Sequence, residues 1–399
     1  MPLSNRLSIR FLLLFTPIAF TGCHRNHFPQ YAADYREFAY VSDGASGTVT
    51  VLDLVNMRPE RTLQVGNQPT GLASNPDPKR NEIYAVNTGS DSVSVIDATA
   101  NRVVSTIAVH HRPYFLSLSP DGRRGYVANS GSNTVSVLDL EHRREIAAVA
   151  TGEGPGPARV SPDNRTLVVS NRTAGSISVY SVDTDQNHPL RFREAFPNCP
   201  GATDIAILPD STKAFVACSG SHQLMAVWLG VPPNSWRGKQ DASLQADHLL
   251  TFLDVGKTPT HLAVKSDGGE VFSTNFGNNS LSQSSAWTNE VEGTYQGFMQ
   301  PARAVISRDN STLWVSDFGA DSATLYSIDD GRIEGSVRTG SHPDALAFSA
   351  DEHLLLVADS GSAEVAVIRT DSAGGPTLFT MLPAGPQPND IVIRAFHTR

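Results

Sequence analysis

A repeat of about 42 residues is the feature that most limits how this chain can fold. In seven of the eight copies, an Asn or Asp stands three positions after the start of a short apolar segment, and a turn follows it. The copies begin with short apolar segments at Tyr40, Tyr84, Tyr126, Val168, Phe215, Phe272, Trp314 and Leu356. Units this small cannot bury a core alone, so they must stack on their neighbours.

Each unit carries four strand patterns. After the first apolar segment, apolar residues alternate, as at Val93 and Val95, which places them on one face of a strand. A third pattern starts at a proline and ends at an aspartate, as from Pro113 to Asp121. A weaker fourth strand pattern precedes the proline, as from Val103 to Val109. Four short antiparallel strands per unit are typical of a propeller blade, whereas an immunoglobulin array needs longer units. The sequence therefore predicts an all-β, single β-propeller of four-stranded blades.

The two ends of the repeat predict how the ring closes. Residues Pro388 to Phe396 form a proline-led strand pattern with no blade after it, and the first copy lacks this strand. We expect the C-terminal strand to join the first blade. The eight copies predict eight blades, with seven as the alternative because the unit at Phe272 is degenerate and has Gln283 in a core position.

The repeat resembles the YVTN family of β-propeller proteins, whose motif appears here as YVSD, YAVN and YVAN. The resemblance covers residues 38 to 396 and is closest in the middle units, such as Ser119 to Leu140. Members of this family commonly have seven blades. Related propellers include surface-layer proteins, lactonase-like proteins and a haem-binding nitrite reductase domain, so the resemblance implies a fold but not one function.

The N-terminal segment is typical of an exported protein. Arg6 and Arg10 precede an apolar run that is too short to span a bilayer, which predicts a signal peptide over residues 1–22. The run ends in F-T-G-C, which resembles a bacterial lipobox and predicts lipidation of Cys23; the alternative is an ordinary secretory signal. We expect a tether over 23–37, a propeller over 38–396, and a monomer anchored by lipid at the outer membrane, facing the periplasm or the surface.

Charge and cysteine content narrow the function classes. The formal net charge of -9 disfavours a nucleic-acid partner, which needs a basic surface. Cys199 and Cys218 fall at nearly opposite positions of adjacent strands, so they are either a disulfide, which an oxidising compartment allows, or two buried thiols. The chain has no C-x-x-C-H motif for covalent haem attachment.

Two groups of loop residues are candidate sites at one mouth of the channel. Carboxylates cluster on blades seven, eight and one and could together bind a Ca²⁺ ion. The alternative is that Asp simply replaces Asn as a cap of the turn. These carboxylates are Asp43, Asp317, Asp359, Asp344 and Asp390. Basic residues fit an anion or carboxylate, with a solvated loop as the alternative; they are His110, His111, Arg112, Arg159, Arg172, His261 and Arg303.

Two function classes remain open from the sequence. The first is a lipid-anchored binding or scaffold module for an envelope protein, a glycan or a small ligand, without a cofactor apart from the Ca²⁺ considered above. The second is an enzyme, either a lactonase-like hydrolase or a redox propeller with a metal or non-covalent cofactor. The first is favoured because no nucleophile, base and orienting group can be named together. An insertion from Val231 to His248, which contains Trp236, indicates a partner-binding or capping loop.

Overall fold

A computed structural model describes residues 29–372 and 374–398, and the predicted signal peptide and Cys23 lie outside this range. Its strands form eight four-stranded antiparallel sheets. Each innermost strand contacts the innermost strand of the next sheet, around a closed ring. The prediction of an all-β propeller with eight blades is confirmed.

The strands are numbered β1 to β32 in chain order, and each blade runs from an innermost to an outermost strand. In the order of blades 1 to 8, the innermost strands are β32 (Pro388–His397), β4 (Pro69–Ser74), β8 (Pro113–Leu118), β12 (Pro155–Val160), β16 (Ala202–Ile207), β20 (Pro259–Val264), β24 (Pro301–Ile306) and β28 (Pro343–Phe348). The second strands are β1 (Tyr35–Asp43), β5 (Glu82–Asn87), β9 (Arg124–Asn129), β13 (Thr166–Asn171), β17 (Lys213–Cys218), β21 (Glu270–Asn275), β25 (Thr312–Asp317) and β29 (Leu354–Asp359).

The outer half of each blade follows the same order. The third strands are β2 (Thr48–Asp53), β6 (Ser92–Asp97), β10 (Thr134–Asp139), β14 (Ser176–Val182), β18 (Gln223–Trp228), β22 (Ser280–Ser285), β26 (Ser322–Ser327) and β30 (Glu364–Arg369). The outermost strands are β3 (Arg58–Gln64), β7 (Arg102–Ala108), β11 (Arg144–Ala150), β15 (Leu190–Pro197), β19 (His248–Asp254), β23 (Glu290–Gln296), β27 (Arg332–Arg338) and β31 (Thr377–Pro383). Helix α1 (Trp236–Gln240) and three short 3₁₀ turns, at Thr88–Ser90, Ala242–Gln245 and Phe276–Asn278, complete the described elements.

The C-terminal strand closes the ring as expected. Strand β32 pairs antiparallel with β1, with Tyr40 opposite Val392. Strand β1 begins at Tyr35, so residues 35–37, which the sequence assigned to the tether, belong to blade 1. The degenerate sixth unit is also a complete blade, in which the half-buried Gln283 accepts a hydrogen bond from the Tyr295 hydroxyl at 2.9 Å.

The core lies between the blades. Alternating apolar residues on the second and third strands of one blade pack on the inner strands of the next, because a four-stranded sheet must cover both faces. Between blades 2 and 3, for example, one buried cluster contains Tyr84, Val86, Leu116, Val127 and Leu138.

The Asn or Asp that ends the second strand in seven of the eight blades is buried, and most of these side chains bond to the third strand. Asn87 donates from Nδ2 to the hydroxyls of Ser92 and Ser94 at 3.1 and 3.0 Å. Asn129, Asn171 and Asn275 make the same pair of bonds. The repeated Asn thus ties the end of the second strand to the third strand in these four blades.

Two faces of the ring follow from the strand directions. We call the face where the innermost strands begin the upper face, and the opposite one, which carries the turns after the innermost and third strands, the lower face. The insertion follows β18 and therefore lies on the lower face, away from the mouth where the sequence placed its candidate residues. Cys199 and Cys218 form a disulfide, but Cys199 lies in the connection between β15 and β16 and not on a strand, so the bond joins this connection to the end of β17. No helix of the described residues is long and apolar enough to cross a membrane.

Candidate functional site

A cavity of about 360 Å³ opens at the centre of the upper face. In seven of the eight blades it is lined by the residue two positions after the start of the innermost strand, namely Gly71, Phe115, Pro157, Asp204, His261, Arg303 and Asp390. Blade 8 contributes Asp344 instead, and Phe276 and Phe318 from the adjoining turns add apolar surface. The repeat thus places one chemically variable residue per blade around the channel.

Arg303 holds two of the predicted acidic residues in this cavity. Its Nε lies 3.2 Å from Asp344 Oδ1, and its Nη1 lies 3.5 Å from Asp390 Oδ1. Burial alone would lower the pKa of Arg303, but the two carboxylates outweigh it and raise the pKa. Asp390 also accepts from the Leu72 amide at 2.8 Å, while burial raises the pKa of its carboxyl. Arg303, which the sequence assigned to the basic candidate site, and Asp344 and Asp390, which it assigned to the acidic one, therefore form one ion-paired group.

A second group on the other side of the cavity is centred on Asp204. This buried carboxylate accepts from the Leu262 amide at 3.0 Å and lies 3.4 Å from Arg159 Nη2 and 3.7 Å from His261 Nε2. Burial lowers the pKa of His261 to about 4, so the imidazole is neutral at pH 7. Its Nδ1 lies 3.3 Å from the Ala304 amide and accepts from it, which leaves the proton on Nε2.

Two arginines of blade 4 stack on neighbouring aromatic residues of blade 3. The Arg159 guanidinium lies 4.5 Å from the centre of the Phe115 ring, and that of Arg172 lies 5.4 Å from the centre of the Tyr114 ring. The buried Nε of Arg159 has no hydrogen-bond partner among the described residues. Stacking orients each guanidinium without using its N–H donors.

Tyr114 separates the central cavity from a second depression of about 570 Å³, which we call the arginine pocket. It is lined by Arg112, Tyr114, Ser130, Gly131, Gly154, Pro155, Arg172, Thr173 and Gly201, without a carboxylate. Within residues 29–372 and 374–398, the guanidinium groups of Arg112 and Arg172 form no ion pair. Two uncompensated positive charges next to hydroxyl groups suit an anion.

The other basic candidates lie apart from both cavities. His111 Nδ1 is 2.8 Å from Asp91 Oδ2, and His110 Nε2 is 3.7 Å from Glu145 Oε1. Neither histidine lines the central cavity or the arginine pocket. Of the seven basic residues predicted, the structure therefore places Arg159, His261 and Arg303 in the central cavity and Arg112 and Arg172 in the arginine pocket.

The acidic candidates do not come together as a cation site. Asp43, Asp317 and Asp359 are buried inside their own blades, at the position that Asn87 occupies in blade 2. Asp43 accepts from Thr48 and Thr50 at 2.8 Å, and Asp317 accepts from Thr324. Asp344 and Asp390 instead contact Arg303. No group of three or more His, Cys, Asp or Glu residues in the described chain is arranged to hold a metal ion.

Sequence reasoning missed Asp204, Phe276 and Phe318. Asp204 occupies the same place in β16 as His261 does in β20, two positions after the strand begins. Phe276 and Phe318 follow the Asn or Asp that ends a second strand, as Arg172 does. Reading these two positions across all copies of the repeat would have found most of the cavity lining.

The fold and this mouth define an eight-bladed propeller with a charged, partly aromatic cavity on its upper face. The chain belongs to the lactonase family of seven-bladed β-propellers, whose family model matches residues 73–225 and 281–393, about two thirds of the chain. The structure has one blade more than that description. Among curated protein sequences, none matches this chain.

Solved structures with the same fold are distant in sequence. A dihydro-haem d1 dehydrogenase, NirN, in complex with DHE has a TM-score of 0.72 at 14% identity, over 89% of this chain and 74% of that one. Apo AztD from Citrobacter koseri has a TM-score of 0.64 at 15% sequence identity, over 90% of this chain and 98% of that one. A putative 6-phosphogluconolactonase from Bacteroides fragilis has a TM-score of 0.61 at 14% sequence identity, over 92% of this chain and 100% of that one. At these identities the likeness is one of fold.

Proposed function

We propose that this protein is a binding module for a small organic anion, taken up on the upper face of the ring. The observation that carries the proposal is the arginine pocket, where the guanidinium groups of Arg112 and Arg172 form no ion pair within the described residues of a chain whose formal net charge is -9. In the central cavity, on the other side of Tyr114, the Nε of Arg159 has no hydrogen-bond partner within the described residues and is a further donor for an anion. A carboxylate or phosphate group is the anion that such guanidinium groups bind best.

The state of the charged groups favours binding over hydrolysis. A hydrolase needs a group free to take a proton from water. His261 is neutral, but its Nδ1 lone pair is used by the Ala304 amide. Asp344 and Asp390 face Arg303, and Asp204 faces Arg159 and the Leu262 amide. Each candidate base is thus already engaged, whereas the arginine pocket is open.

Substituting both Arg112 and Arg172 with methionine will weaken anion binding by about 100-fold, since each lost charged donor accounts for about tenfold. The measurement is calorimetric titration of the whole protein with citrate, galacturonate and 6-phosphogluconate. Arg332→Met is the matched control, because Arg332 is an exposed arginine paired with Asp330 on blade 7. The proposal fails if none of the three anions binds, or if the double variant binds as tightly as the control.

Lactone hydrolysis in the central cavity is the second candidate, favoured by membership of the lactonase family. We expect δ-gluconolactone and 6-phosphoglucono-δ-lactone to disappear no faster with the protein than in buffer. Turnover that is lost in both His261→Gln and Asp390→Asn would favour the hydrolase instead. Turnover that survives both changes would place the chemistry outside this cavity.

We also propose that the protein is exported and held at the bacterial envelope by a lipid on Cys23, as the basic start, the apolar run and the lipobox-like F-T-G-C suggest. The Cys199–Cys218 disulfide supports an oxidising compartment. In bacterial cells expressing the full chain, labelled palmitate will be incorporated into the wild-type protein and not into Cys23→Ala. Equal labelling of the two proteins would contradict the anchor.

A further inference from the structure

The insertion forms one wall of a cleft on the lower face, away from the arginine pocket. The cleft has a volume of about 730 Å³ and lies between the insertion and the lower turns of blades 5 and 6. Its lining residues include Trp228, Trp236, Gln240, Asp241, Asp267 and Trp287. This volume lies within the range of about 300–1,000 Å³ that small-molecule sites occupy.

The wall is held in place by specific contacts with the propeller. Trp228 Nε1 donates to the Leu244 carbonyl at 2.9 Å. Asp247 accepts from the Gly230 amide at 2.8 Å and forms an ion pair with Arg193 of the neighbouring blade. Ser235 caps the N-terminus of helix α1, since its hydroxyl accepts from the Gly238 amide at 3.0 Å. A long insertion fixed in this way is typical of a functional loop.

Two tryptophans that line this cleft are largely exposed. The exposed fraction is 72% for Trp236 and 75% for Trp287, whereas Trp314 in the core is 2% exposed. Tryptophan is normally highly buried, and its exposed ring is a strong anchor for a partner. Because both rings line one cleft, their flat apolar surfaces are available to a single ligand.

The polar groups of the cleft suit hydroxyl groups better than an anion. Both cationic residues of the lining are engaged: Lys213 donates to the Ala286 carbonyl at 2.6 Å and to Asn289 Oδ1 at 3.1 Å, and Arg237 pairs with Asp210 at 3.0 Å. The Gln240 amide and Oδ2 of Asp241 make no hydrogen bond within the described residues. The cleft therefore offers donors and acceptors but no free cation for an anionic ligand.

We propose that this cleft binds a neutral oligosaccharide. A pyranose ring has apolar C–H faces, which pack on indole rings, and a rim of hydroxyls, which both donate to and accept from groups such as Gln240 and Asp241. A small organic cation would also stack on indoles, but it would fill only a fraction of the cleft and would leave the Gln240 donor unused. The site is independent of the anion-binding proposal for the upper face.

The test is titration of the whole protein with cellotetraose, chitotetraose and maltotetraose, followed by tryptophan fluorescence and calorimetry. We expect at least one of them to bind and to change the tryptophan emission. Trp236→Ala and Trp287→Ala will each weaken that binding by about tenfold or more, as loss of an aromatic anchor does. Leu378→Ala is the matched control, because Leu378 is an exposed apolar residue on the outer strand of blade 8.

Three results would overturn the proposal. The first is that none of the three tetrasaccharides binds to the wild-type protein. The second is that one binds, but both tryptophan variants keep the affinity of Leu378→Ala. The third is that choline binds in their place and loses its affinity in the tryptophan variants, which would assign the cleft to an organic cation. Circular dichroism of each variant verifies that the propeller is folded.

Discussion

Replacing Asp359 with asparagine will stabilise the protein by about 4 kcal/mol at pH 8 and have almost no effect at pH 4. Asp359 is fully buried, and burial raises the pKa of its carboxyl to about 7. At the positions where Asn87 finds two serines, Asp359 meets Glu364 and Ala366. The Gly340 amide and the Thr339 hydroxyl lower the pKa only in part, and neither carboxylate oxygen has a hydrogen-bond partner of normal geometry in the described structure.

The direction of this change in the free energy of unfolding follows from proton binding to Asp359. Between about pH 4, near the pKa of an unfolded aspartate, and pH 7, the folded protein keeps the proton on Asp359 and the unfolded chain has lost it. The free energy of unfolding that this residue contributes therefore falls as the pH rises through that window. Asparagine does not titrate, so the variant does not lose this free energy of unfolding as the pH rises. Urea unfolding at pH 4 and pH 8 measures the difference between the two proteins.

Asp43→Asn is the matched control for this change. Asp43 holds the same position in blade 1, but it accepts hydrogen bonds from Thr48, Thr50 and the Gly385 amide. Burial also raises the pKa of Asp43, and these three donors counteract it. We expect a much smaller gain at pH 8 from Asp43→Asn. An equal gain in both variants, or a gain from Asp359→Asn that does not depend on pH, would contradict the interpretation.

Substituting Arg394 with methionine will destabilise the protein by about 4 kcal/mol, since it leaves several buried acceptors without a donor. Arg394 lies on the closing strand β32 and is only 8% exposed. Its guanidinium donates to the carbonyls of Asn75, Asp77 and Arg80 at 2.6 to 3.0 Å, and to the Asn81 side chain. One side chain thus links the last strand of the chain to the lower turn of blade 2.

Two further variants separate this bonding from the loss of charge. Arg394→Lys keeps the charge but cannot reach the same set of acceptors, so we expect it to lose about half as much stability. Arg36→Met removes an arginine whose side chain donates, within the described residues, only to the nearby carbonyls of Ala33 and Tyr35, and we expect a change within about 0.5 kcal/mol. Urea unfolding measures all three. A cost for Arg394→Met no larger than that for Arg36→Met would show that the ring closes without this contact.

The candidate site was only partly predictable. The sequence pointed to Arg159, Arg172 and Arg303 because they lie in loops or near strand starts that face the mouth. It could not show that Arg303 is neutralised by Asp344 and Asp390 while Arg112 and Arg172 are not, because these partners lie in different blades. Asp43, Asp317 and Asp359 were expected to line the mouth, but they are buried inside the blades at the position that Asn occupies in other copies.

The periodicity of this chain by itself determined the class of fold, the number of blades and the closure of the ring. These features follow from the local alternation of apolar residues and from turns that recur at a constant spacing, and each copy supports the others. Only the tertiary structure decided which charged side chains form ion pairs and which are left to bind a ligand. That depends on contacts between blades, such as Arg303 with Asp390 or Arg394 with Asn75, and no local pattern specifies which side chains from distant copies meet around a ring.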